Sequence, residues 1–554
     1  QAYDRRTLEL RNPMRFRDGL KVTKTGCGTY RITGGKNRRG DVGDIAVWSV
    51  KERGRRVEGE NVNAVRCRNL VCENIMQYAT PHGRAFIDWE SEATVYRRCK
   101  VVRRPPETDP VRRGLKRLRS GNHDAFISKN AYVGPQILGC VAEYHCDDCV
   151  NISGGYQVVY EGSGDTVRVF VHGVWDLQVA PGDPCQVLTP DGRVLPDVKV
   201  LSIEPGPAIR REESAYLETI GLWPGIASAM KKSYVFKLDR AVDFPRGTAL
   251  ASLNRLGNGF VIKDCRFGST RARGLLLKAC HGLVENCDVA CRTPIYIRHD
   301  HRRTPGVCGT DNSIGGIEVL VVDGGVLENV TVRNVRMGRG IIAPIFVRMG
   351  ARRDPEPGKE SVLRHVLIED VKMSEPSVSL TASSVTGVPG RRPSDIVIRN
   401  VDLLYRGGCE RDAVDVPREG EKMYPSPYNV FLSALPAYGF FVRHADGVRL
   451  ENVKLRVADA SEERPPIVTD DATVVEKGVD AFRPDETALA NPGEYRLVDP
   501  GKTPFPMAKV KEYVFPKREF PITDFGAEPM PEPGTAEPKK CTEAFAKAIA
   551  AAHA

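Results

Sequence analysis

Short strands of alternating apolar and polar residues recur along most of the chain and share one form: apolar-x-apolar-x-Asn/Asp-apolar-x-apolar. Asp264 and Asn286 occupy the same slot of this form in consecutive repeats, and Asn334 and Asn400 are separated by three such intervals. An interval of about 22 residues without intervening helical patterns predicts a parallel β-helix solenoid, in which stacked Asn side chains can hydrogen-bond from rung to rung. The recurring slot disfavours a β-sandwich, whose strands would follow one another about every 8–12 residues.

Two regions depart from this rhythm. Residues 156–250 carry longer strand patterns and tight turns, which predict an inserted antiparallel β-barrel or β-sandwich. Residues 471–554 are rich in proline and charge, and their alanine-rich end over 541–554 predicts a helix that can cap the open end of a solenoid. The predicted fold is therefore all-β. A β-helix over 1–155 and 251–470 carries the insertion, and the tail holds the capping α-helix or begins a further domain.

Three carboxylates stand out within the segment 122–154. Asp124 precedes the adjacent pair Asp147 and Asp148 by about one rung of the predicted solenoid. Strands on neighbouring rungs lie roughly 4.8 Å apart, so the spacing predicts facing carboxylates of the kind that hydrolyse sugar linkages. Neighbouring residues of a strand point to opposite faces, so a local bulge would have to turn one of the pair. The alternative is that these aspartates cap turns, as Asp and Asn do elsewhere in this chain.

Composition bounds the class of protein. The 554 residues have 41% hydrophobic and 27% charged side chains, which is typical of a folded protein, and no apolar run is long enough for a transmembrane helix. The formal net charge is +10, which favours a polyanionic partner or reflects a solvated arginine-rich face. No helix-turn-helix, zinc-finger or RNA-binding signature supports nucleic acid.

The 15 cysteines lack the dense spacing of a disulfide scaffold. Cys140, Cys265 and Cys287 lie inside strand patterns, where we expect them to face inward as small apolar side chains. Cys146 and Cys149 flank the aspartate pair, but a zinc or redox site would need a second ligand pair or a thioredoxin-like context. We therefore expect neither a metal nor another cofactor.

Four features follow one another in a fixed order: GNHDAF (121–126), CDDCVNISG (146–154), the β-rich insertion, and LGNGFVIKDCRFGSTRARGLLLKA (256–279). With them, the region over residues 40–300 resembles glycoside hydrolase family 110. The resemblance implies an inverting exo-α-1,3-galactosidase on a right-handed parallel β-helix with an inserted barrel domain. It also implies that Asp124 is the general acid and that Asp147 and Asp148 form the general-base pair.

The later part of the chain carries the motifs GTDNSIGGIEV, APIFVRMG and LPAYGFFVRH within residues 305–470, and PITDFGAEP and TEAFAKAIAAAHA within 520–554. The first three look like the C-terminal half of glycoside hydrolase family 28, the polygalacturonase group, whereas the last two look like its start. In this chain, the motifs that look like the start of family 28 therefore follow the motifs that look like its C-terminal half. A truncated second β-helix, a circular permutation and a fused mosaic would each produce this order.

Further residues are candidates for substrate binding. Arg271, Arg273 and Lys278 lie on a later rung and can bind sugar hydroxyls, a carboxylate or a sulfate, or form a solvated basic edge. Arg119 lies shortly before Asp124 in the chain. The other candidates are Trp89, which can stack on a sugar or pack in the structure, and His145, which can join a proton network or serve structurally.

Three functional hypotheses follow. The first is a metal-independent inverting glycoside hydrolase that removes α-linked galactose-type residues. The second is a polygalacturonase-like hydrolase of uronic-acid or sulfated polysaccharide, which the net charge suits. The third is a non-catalytic carbohydrate-binding β-helix. All three predict a glycan partner and secreted or periplasmic placement, and a solenoid with exposed ends can also form homo-oligomers.

Overall fold

The computed structural model describes short N-terminal segments between residues 2 and 46, most of 61–299, most of 317–414, and residues 434–484, 520–527 and 542–553. These residues belong to two units, 1–510 and 511–554. The first unit contains the β-helix and the barrel. Among the described residues, no helix is both long and apolar enough to cross a membrane.

The N-terminal segments and the first rungs consist of short strands. They are β1 (Ala2–Tyr3), β2 (Leu10–Asn12), β3 (Lys21–Gly26), β4 (Thr29–Thr33), β5 (Ile45–Ala46), β6 (Val62–Val65), β7 (Val71–Glu73), β8 (Met76–Gln77), β9 (Phe86–Trp89), β10 (Val95–Arg97), β11 (Lys100–Val101), β12 (Phe126–Lys129), β13 (Gln136–Leu138), β14 (Val141–Glu143) and β15 (Val150–Ser153), with a 3-10 turn at Pro106–Thr108.

The insertion follows β15 directly and confirms the predicted antiparallel barrel. Six strands close in the order β16-β17-β20-β19-β18-β21. The elements are β16 (Gln157–Ser163), β17 (Thr166–His172), β18 (Pro184–Leu188), β19 (Val194–Pro205), helix α1 (Arg211–Thr219), β20 (Met230–Leu238) and β21 (Ala249–Ser252).

The β-helix then resumes with strands that lengthen toward its end. They are β22 (Val261–Lys263), β23 (Arg266–Gly268), β24 (Arg273–Lys278), β25 (Leu283–Ala290), β26 (Thr293–His299), β27 (Ile317–Val322), β28 (Val326–Met337), β29 (Ile345–Gly350), β30 (Val362–Met373), β31 (Ser383–Thr386), β32 (Ser394–Gly407), β33 (Phe440–Asp459) and β34 (Ile467–Phe482).

The second unit holds a 3-10 turn at Ile522–Phe525 and helix α2 (Thr542–His553). The predicted C-terminal helix is therefore confirmed. Ala544 and Ala548 are buried, whereas Phe545 and Ile549 are exposed. The capping role of this helix stays a prediction.

Parallel pairing stacks the rungs into columns of strands. The first column, here called sheet A, contains β6, β9, β12, β15, β24, β26, β27, β29 and β31 and the first residues of β33 and β34. The pairing between β12 and β15 sets Phe126 opposite Val150, and the pairing between β15 and β24 sets Val150 opposite Leu275. The solenoid thus keeps its register across the inserted barrel.

The polar slot of the repeat forms a ladder on one side of the solenoid. Its members have φ between +51° and +67°, the left-handed conformation that Asn, Asp and Gly adopt most readily. Asn400 Nδ2 donates to Asp370 Oδ1 at 3.2 Å, and Asn452 Nδ2 donates to Asn400 Oδ1 at 2.9 Å. The predicted rung-to-rung hydrogen bonding is therefore confirmed. In register, the ladder comprises Asn74, Arg98, Gly139, Asp264, Asn286, Asn334, Asp370, Asn400, Asn452 and Gly478.

The residue after each ladder position points into the core. In four successive rungs this residue is Cys99, Cys140, Cys265 and Cys287, all buried, and valine takes over in the later rungs. Burial raises the pKa of the Cys265 thiol well above its ordinary value, so this thiol stays neutral. The prediction that Cys140, Cys265 and Cys287 face inward is confirmed.

The carboxyl group of Asp88 lies inside this apolar core. Asp88 of β9 is 1% exposed, and its carboxyl accepts hydrogen bonds from Ser128 Oγ at 2.7 Å and from the Tyr96 hydroxyl at 3.3 Å. Burial raises the pKa of Asp88 to about 7 and outweighs both hydrogen bonds, which favour the ionised form. Asp88 therefore makes the stability of the first rungs depend on pH.

We predict that Asp88→Asn stabilises the protein above pH 7. The pKa of Asp88 is higher in the folded protein than in the unfolded chain. Between about pH 4 and 7 the folded protein therefore holds a proton that the unfolded chain has lost, and the stability falls as the pH rises through that window. Asparagine keeps an acceptor for Ser128 without a charge. Calorimetric melting at pH 8 should show a gain on the order of 2 kcal/mol, with little change at pH 4.

Asp165→Asn is the matched control, because the Asp165 carboxylate is exposed on the barrel. It should give no pH-dependent gain. An equal loss of stability in Asp88→Asn at both pH values would show that the Asp88 carboxyl supports the fold irrespective of its charge.

Candidate active site

The candidate site lies at the N-terminal edge of sheet A. Asp124 and Asp148 each stand two residues before a strand, β12 and β15 respectively, and these strands pair in register. Arg84 and Arg273 occupy the same position on the flanking rungs, since β9 pairs with β12 and β24 pairs with β15. The register therefore stacks Arg84, Asp124, Asp148 and Arg273 in one column. Asp148, rather than Asp147, is the partner of Asp124 in register.

Asp148 is buried and held by Arg273. The guanidinium donates from Nε to Oδ1 and from NH2 to Oδ2, both at 2.8 Å, and the Arg273 backbone N–H donates to Oδ1 at 3.1 Å. Both side chains are at most about a tenth exposed. A bidentate ion pair of this kind fixes the Asp148 carboxylate and balances its charge.

Asp124 is 8% exposed, and its Oδ1 accepts a hydrogen bond from the backbone N–H of Asp148 at 2.9 Å. Burial raises the pKa of Asp124 well above its ordinary value, and the negative charges of Asp147 and Asp148 raise it further. The positive charges of Lys129 and Arg84 oppose this rise. Asp124 is therefore suited to hold a proton at a pH where ordinary carboxyls have lost theirs.

Asp147 completes the cluster and is only half-buried. The aspartate pair lies in a bend before β15 rather than on the strand, so both carboxylates reach the site without the predicted bulge. One oxygen from each of Asp124, Asp147 and Asp148 lies within 4.8 Å of the other two. The cluster is tighter than the usual arrangement of inverting glycosidases, which separate their carboxyls by roughly 6.5–9.5 Å.

Three carboxylates this close also form a set that can hold a cation; in the described part of the chain they are the one such group. Arg273, however, already bonds both oxygens of Asp148. The Asp148 carboxylate thus has reduced capacity as a metal ligand. The absence of a metal requirement stays a prediction.

His145 is 2% exposed, and its Nε2 lies 3.2 Å from Cys149 Sγ. Burial lowers the pKa of His145 to about 4, so the imidazole is neutral at physiological pH. The neutral His145 side chain therefore supports the bend that contains Asp147 and Asp148, and it offers no positive charge to a substrate.

The other predicted binding residues lie at two places. Arg119 is near the carboxylates along the chain, and its NH1 donates to Asn122 Oδ1 at 3.1 Å. Trp89 and Lys278 lie at the opposite, C-terminal edge of sheet A, each about half-buried. Arg273 belongs to the acidic cluster itself, and Arg271 lies outside the described residues.

Two basic residues near the cluster escaped the sequence analysis. Arg84 shares the column of Asp124, and Lys129 follows Asp124 at the other end of β12. Arg84 and Asp124 lie on neighbouring rungs but are separated in sequence by nearly two repeat intervals, so the period gives no hint of their proximity. The sequence did contain a signal for Lys129, because alternation along β12 places its side chain on the outward face of the strand.

No family model matches this chain, and no curated protein does either. Among solved structures, the Gp54 tailspike of Acinetobacter baumannii bacteriophage AP22, in complex with A. baumannii capsular saccharide, is 10% identical over 77% of this chain and 73% of its own, with a TM-score of 0.18. A variant of the catalytic domain of GH87 alpha-1,3-glucanase, in complex with nigerose, is 11% identical over 59% of this chain and 89% of its own, with a TM-score of 0.09. These TM-scores are too low to support an argument, so the likeness to families 110 and 28 stays a prediction.

We predict that Arg273→Met destabilises the fold, because it leaves the buried Asp148 carboxylate without its bidentate partner. Loss of one partner of a buried ion pair costs about 3–5 kcal/mol, which thermal denaturation will detect. The matched control is Arg266→Met. Arg266 is 58% exposed and pairs with the partly exposed Glu143, so its loss should cost at most about 1 kcal/mol. Equal melting temperatures for the two variants would contradict the role given to Arg273.

Proposed function

We propose that the protein is a glycoside hydrolase whose acid–base chemistry is carried by Asp124 and Asp147. The observation that supports this most directly is the raised pKa of the buried Asp124 beside the more exposed Asp147. Two neighbouring carboxyls whose environments push their pKa values apart provide an acid and a base at the same pH.

The roles follow from exposure and contacts. Asp124, protonated, donates to the oxygen of the leaving group. Asp147, more accessible, activates water. Asp148 acts as a positioning residue, because Arg273 binds both of its oxygens and its backbone N–H orients Asp124. The predicted general-base pair is thereby divided into one base and one positioning residue.

Inversion needs room for the sugar and the attacking water between acid and base, whose carboxyls are usually roughly 6.5–9.5 Å apart. The nearest oxygens of the cluster lie within 4.8 Å of one another, so an inverting mechanism requires the Asp147 carboxylate to turn away from Asp124 when the substrate binds. Retaining enzymes place their carboxyls at a similar separation of roughly 5–5.5 Å. The anomeric configuration of the product therefore distinguishes the two mechanisms.

For the substrate, we propose a terminal α-linked galactose-type residue of a glycan. The order of the GNHDAF and CDDCVNISG motifs, followed directly by the inserted barrel, supports this choice. Such a substrate implies secreted or periplasmic placement. The net charge of +10 favours a second candidate, hydrolysis of uronic-acid or sulfated polysaccharide.

The test is a panel of α-galactosides, pectic oligosaccharides and sulfated galactans, with products identified and their anomers followed by NMR. Release of galactose as the inverted anomer supports the proposal. Release of uronic acid alone would replace it with the second candidate. Saturable binding without any cleavage would show a carbohydrate-binding β-helix instead.

We predict that Asp124→Asn lowers kcat by at least about 10³-fold while substrate binding persists, because the amide cannot supply the proton. In the unaltered protein, activity should fall as the pH rises through the raised pKa of Asp124, since only the protonated acid is competent. Asp264→Asn is the matched control, because Asn occupies the same ladder slot on the next rung. It should keep full activity, and an Asp124→Asn protein that is equally active would disprove the assignment.

A further inference from the structure

The connection that leads from β11 into β12 is much longer than its counterparts on the neighbouring rungs. It spans residues 102–125, whereas the corresponding connections into β9 and β15 span only residues 78–85 and 144–149. All three enter sheet A at its N-terminal edge, where the carboxylate cluster lies, and the long one contains Asp124. Its residues 102–123, here called the basic loop, therefore stand beside the candidate site.

The basic loop holds a large share of the positive charge of the chain. Its sequence contains seven Lys or Arg residues and two acidic ones, in a protein whose formal net charge is +10. Two of the seven, Arg112 and Arg113, lie outside the described residues. One of the acids, Asp109, is buried and forms an ion pair with Arg117. The loop therefore brings an excess of positive charge to the edge of an acidic site, which creates a local positive potential.

Contacts with the rungs on both sides hold the base of the basic loop in place. The guanidinium carbon of Arg103 lies 3.4 Å from the centroid of the Tyr144 ring, and Ser120 N donates to Tyr144 O at 2.9 Å. Toward the preceding rung, Asn122 N donates to Thr80 O at 3.1 Å. A loop that is fixed in this way loses little conformational freedom when it binds a ligand.

The tip of the basic loop is open to solvent. Gly114 N donates to Pro106 O at 2.9 Å, and the φ of +82° at Gly114 turns the chain at this point. Leu115 is 63% exposed, and the neighbouring Lys116 is exposed as well. Within the described residues, Lys116 takes part in no ion pair, so its ammonium group is available to a ligand.

We propose that the basic loop binds an acidic polysaccharide, one that carries carboxylates or sulfate esters along its length, and thereby directs this polymer to the carboxylate cluster. This inference rests on the proposed hydrolase function and specifies its substrate class. The acidic groups belong to sugars beyond the cleaved linkage, so a galactose-type residue can still occupy the candidate site itself.

The short reach of exposed charges favours a polymer as the ligand of this loop. At physiological salt, the attraction between exposed charges fades over about 8 Å, and a single contact of this kind contributes little. A polysaccharide that repeats its acidic groups can make several such contacts at once, whereas a small anion makes one. The position of the loop at the edge of the candidate site favours a substrate polymer over an anionic lipid surface.

We predict that Lys116→Glu weakens binding of acidic oligosaccharides, because it replaces an attractive contact with a repulsive one. Calorimetric titration of the Asp124→Asn protein, with and without this change, compares galacturonic-acid, sulfated-galactose and neutral galactose oligosaccharides of equal length. A change of this kind at an exposed site corresponds to a roughly 5-fold weaker affinity for acidic ligands, and neutral ligands should change by less than about twofold.

The matched control is Lys477→Glu, which alters an exposed lysine of the last strand, β34, and lowers the net charge by the same amount. It should leave the affinity for acidic ligands unchanged. Longer acidic oligosaccharides should bind the unaltered loop more tightly than short ones, and added salt should reduce that gain. Because both lysines are exposed, both variants should melt at the temperature of the unaltered protein.

Selective weakening of acidic ligands by Lys116→Glu, for carboxylates, sulfates or both, supports the proposal and identifies the acidic group. Equal effects of Lys116→Glu and Lys477→Glu, or no preference for acidic ligands before substitution, would overturn it. Binding to vesicles with anionic lipid, without selective binding of any oligosaccharide, would assign the loop to a membrane surface instead. Selective binding of acidic oligosaccharides without turnover by the catalytically intact protein would remove the hydrolase proposal and leave the role of the loop in place.

Discussion

The register of the parallel strands is the constraint on which the rest of the structure depends. Each rung hydrogen-bonds to the next in a constant register, so residues at equivalent positions of the repeat lie opposite one another. The position of a residue in the repeat therefore fixes where along the strand it lies and which face of the sheet its side chain occupies. This register stacks the Asn and Asp ladder, aligns Cys99 with Cys140 and sets Asp124 beside Asp148. A slip of one residue would turn each of these side chains to the opposite face.

Register brings the three carboxylates together, and their surroundings make them electrostatically unequal. Three ionised carboxylates within 4.8 Å of one another would repel strongly, but the surroundings of the three side chains differ. Arg273 neutralises Asp148, burial favours the protonated form of Asp124, and Asp147 remains partly open to solvent. The arginine thus fixes the Asp148 carboxylate and compensates its negative charge in the interior.

The sequence predicted features that repeat and missed those that depend on loop length or side-chain direction. The ladder at Asn400 and the inward cysteines follow from periodicity, and the structure confirms both. Arg84 and Asp124 meet across nearly two repeat intervals, a separation that the period does not predict for neighbouring rungs. The bend at Asp147 depends on local geometry, and a strand pattern carries no information about it.

The inserted barrel bears on the site through the same register. Arg273 reaches Asp148 across 125 residues of chain, most of which form the barrel, so Asp148 gains its ion-pair partner only when the chain returns to the correct rung. A buried contact secures that return: Arg255 donates from Nε to Asp183 Oδ2 at 3.0 Å and packs on the Tyr132 ring of the β-helix. Because a long flexible insertion would add closure entropy, a folded barrel docked by this contact is the arrangement that lets residues so distant in sequence share one site.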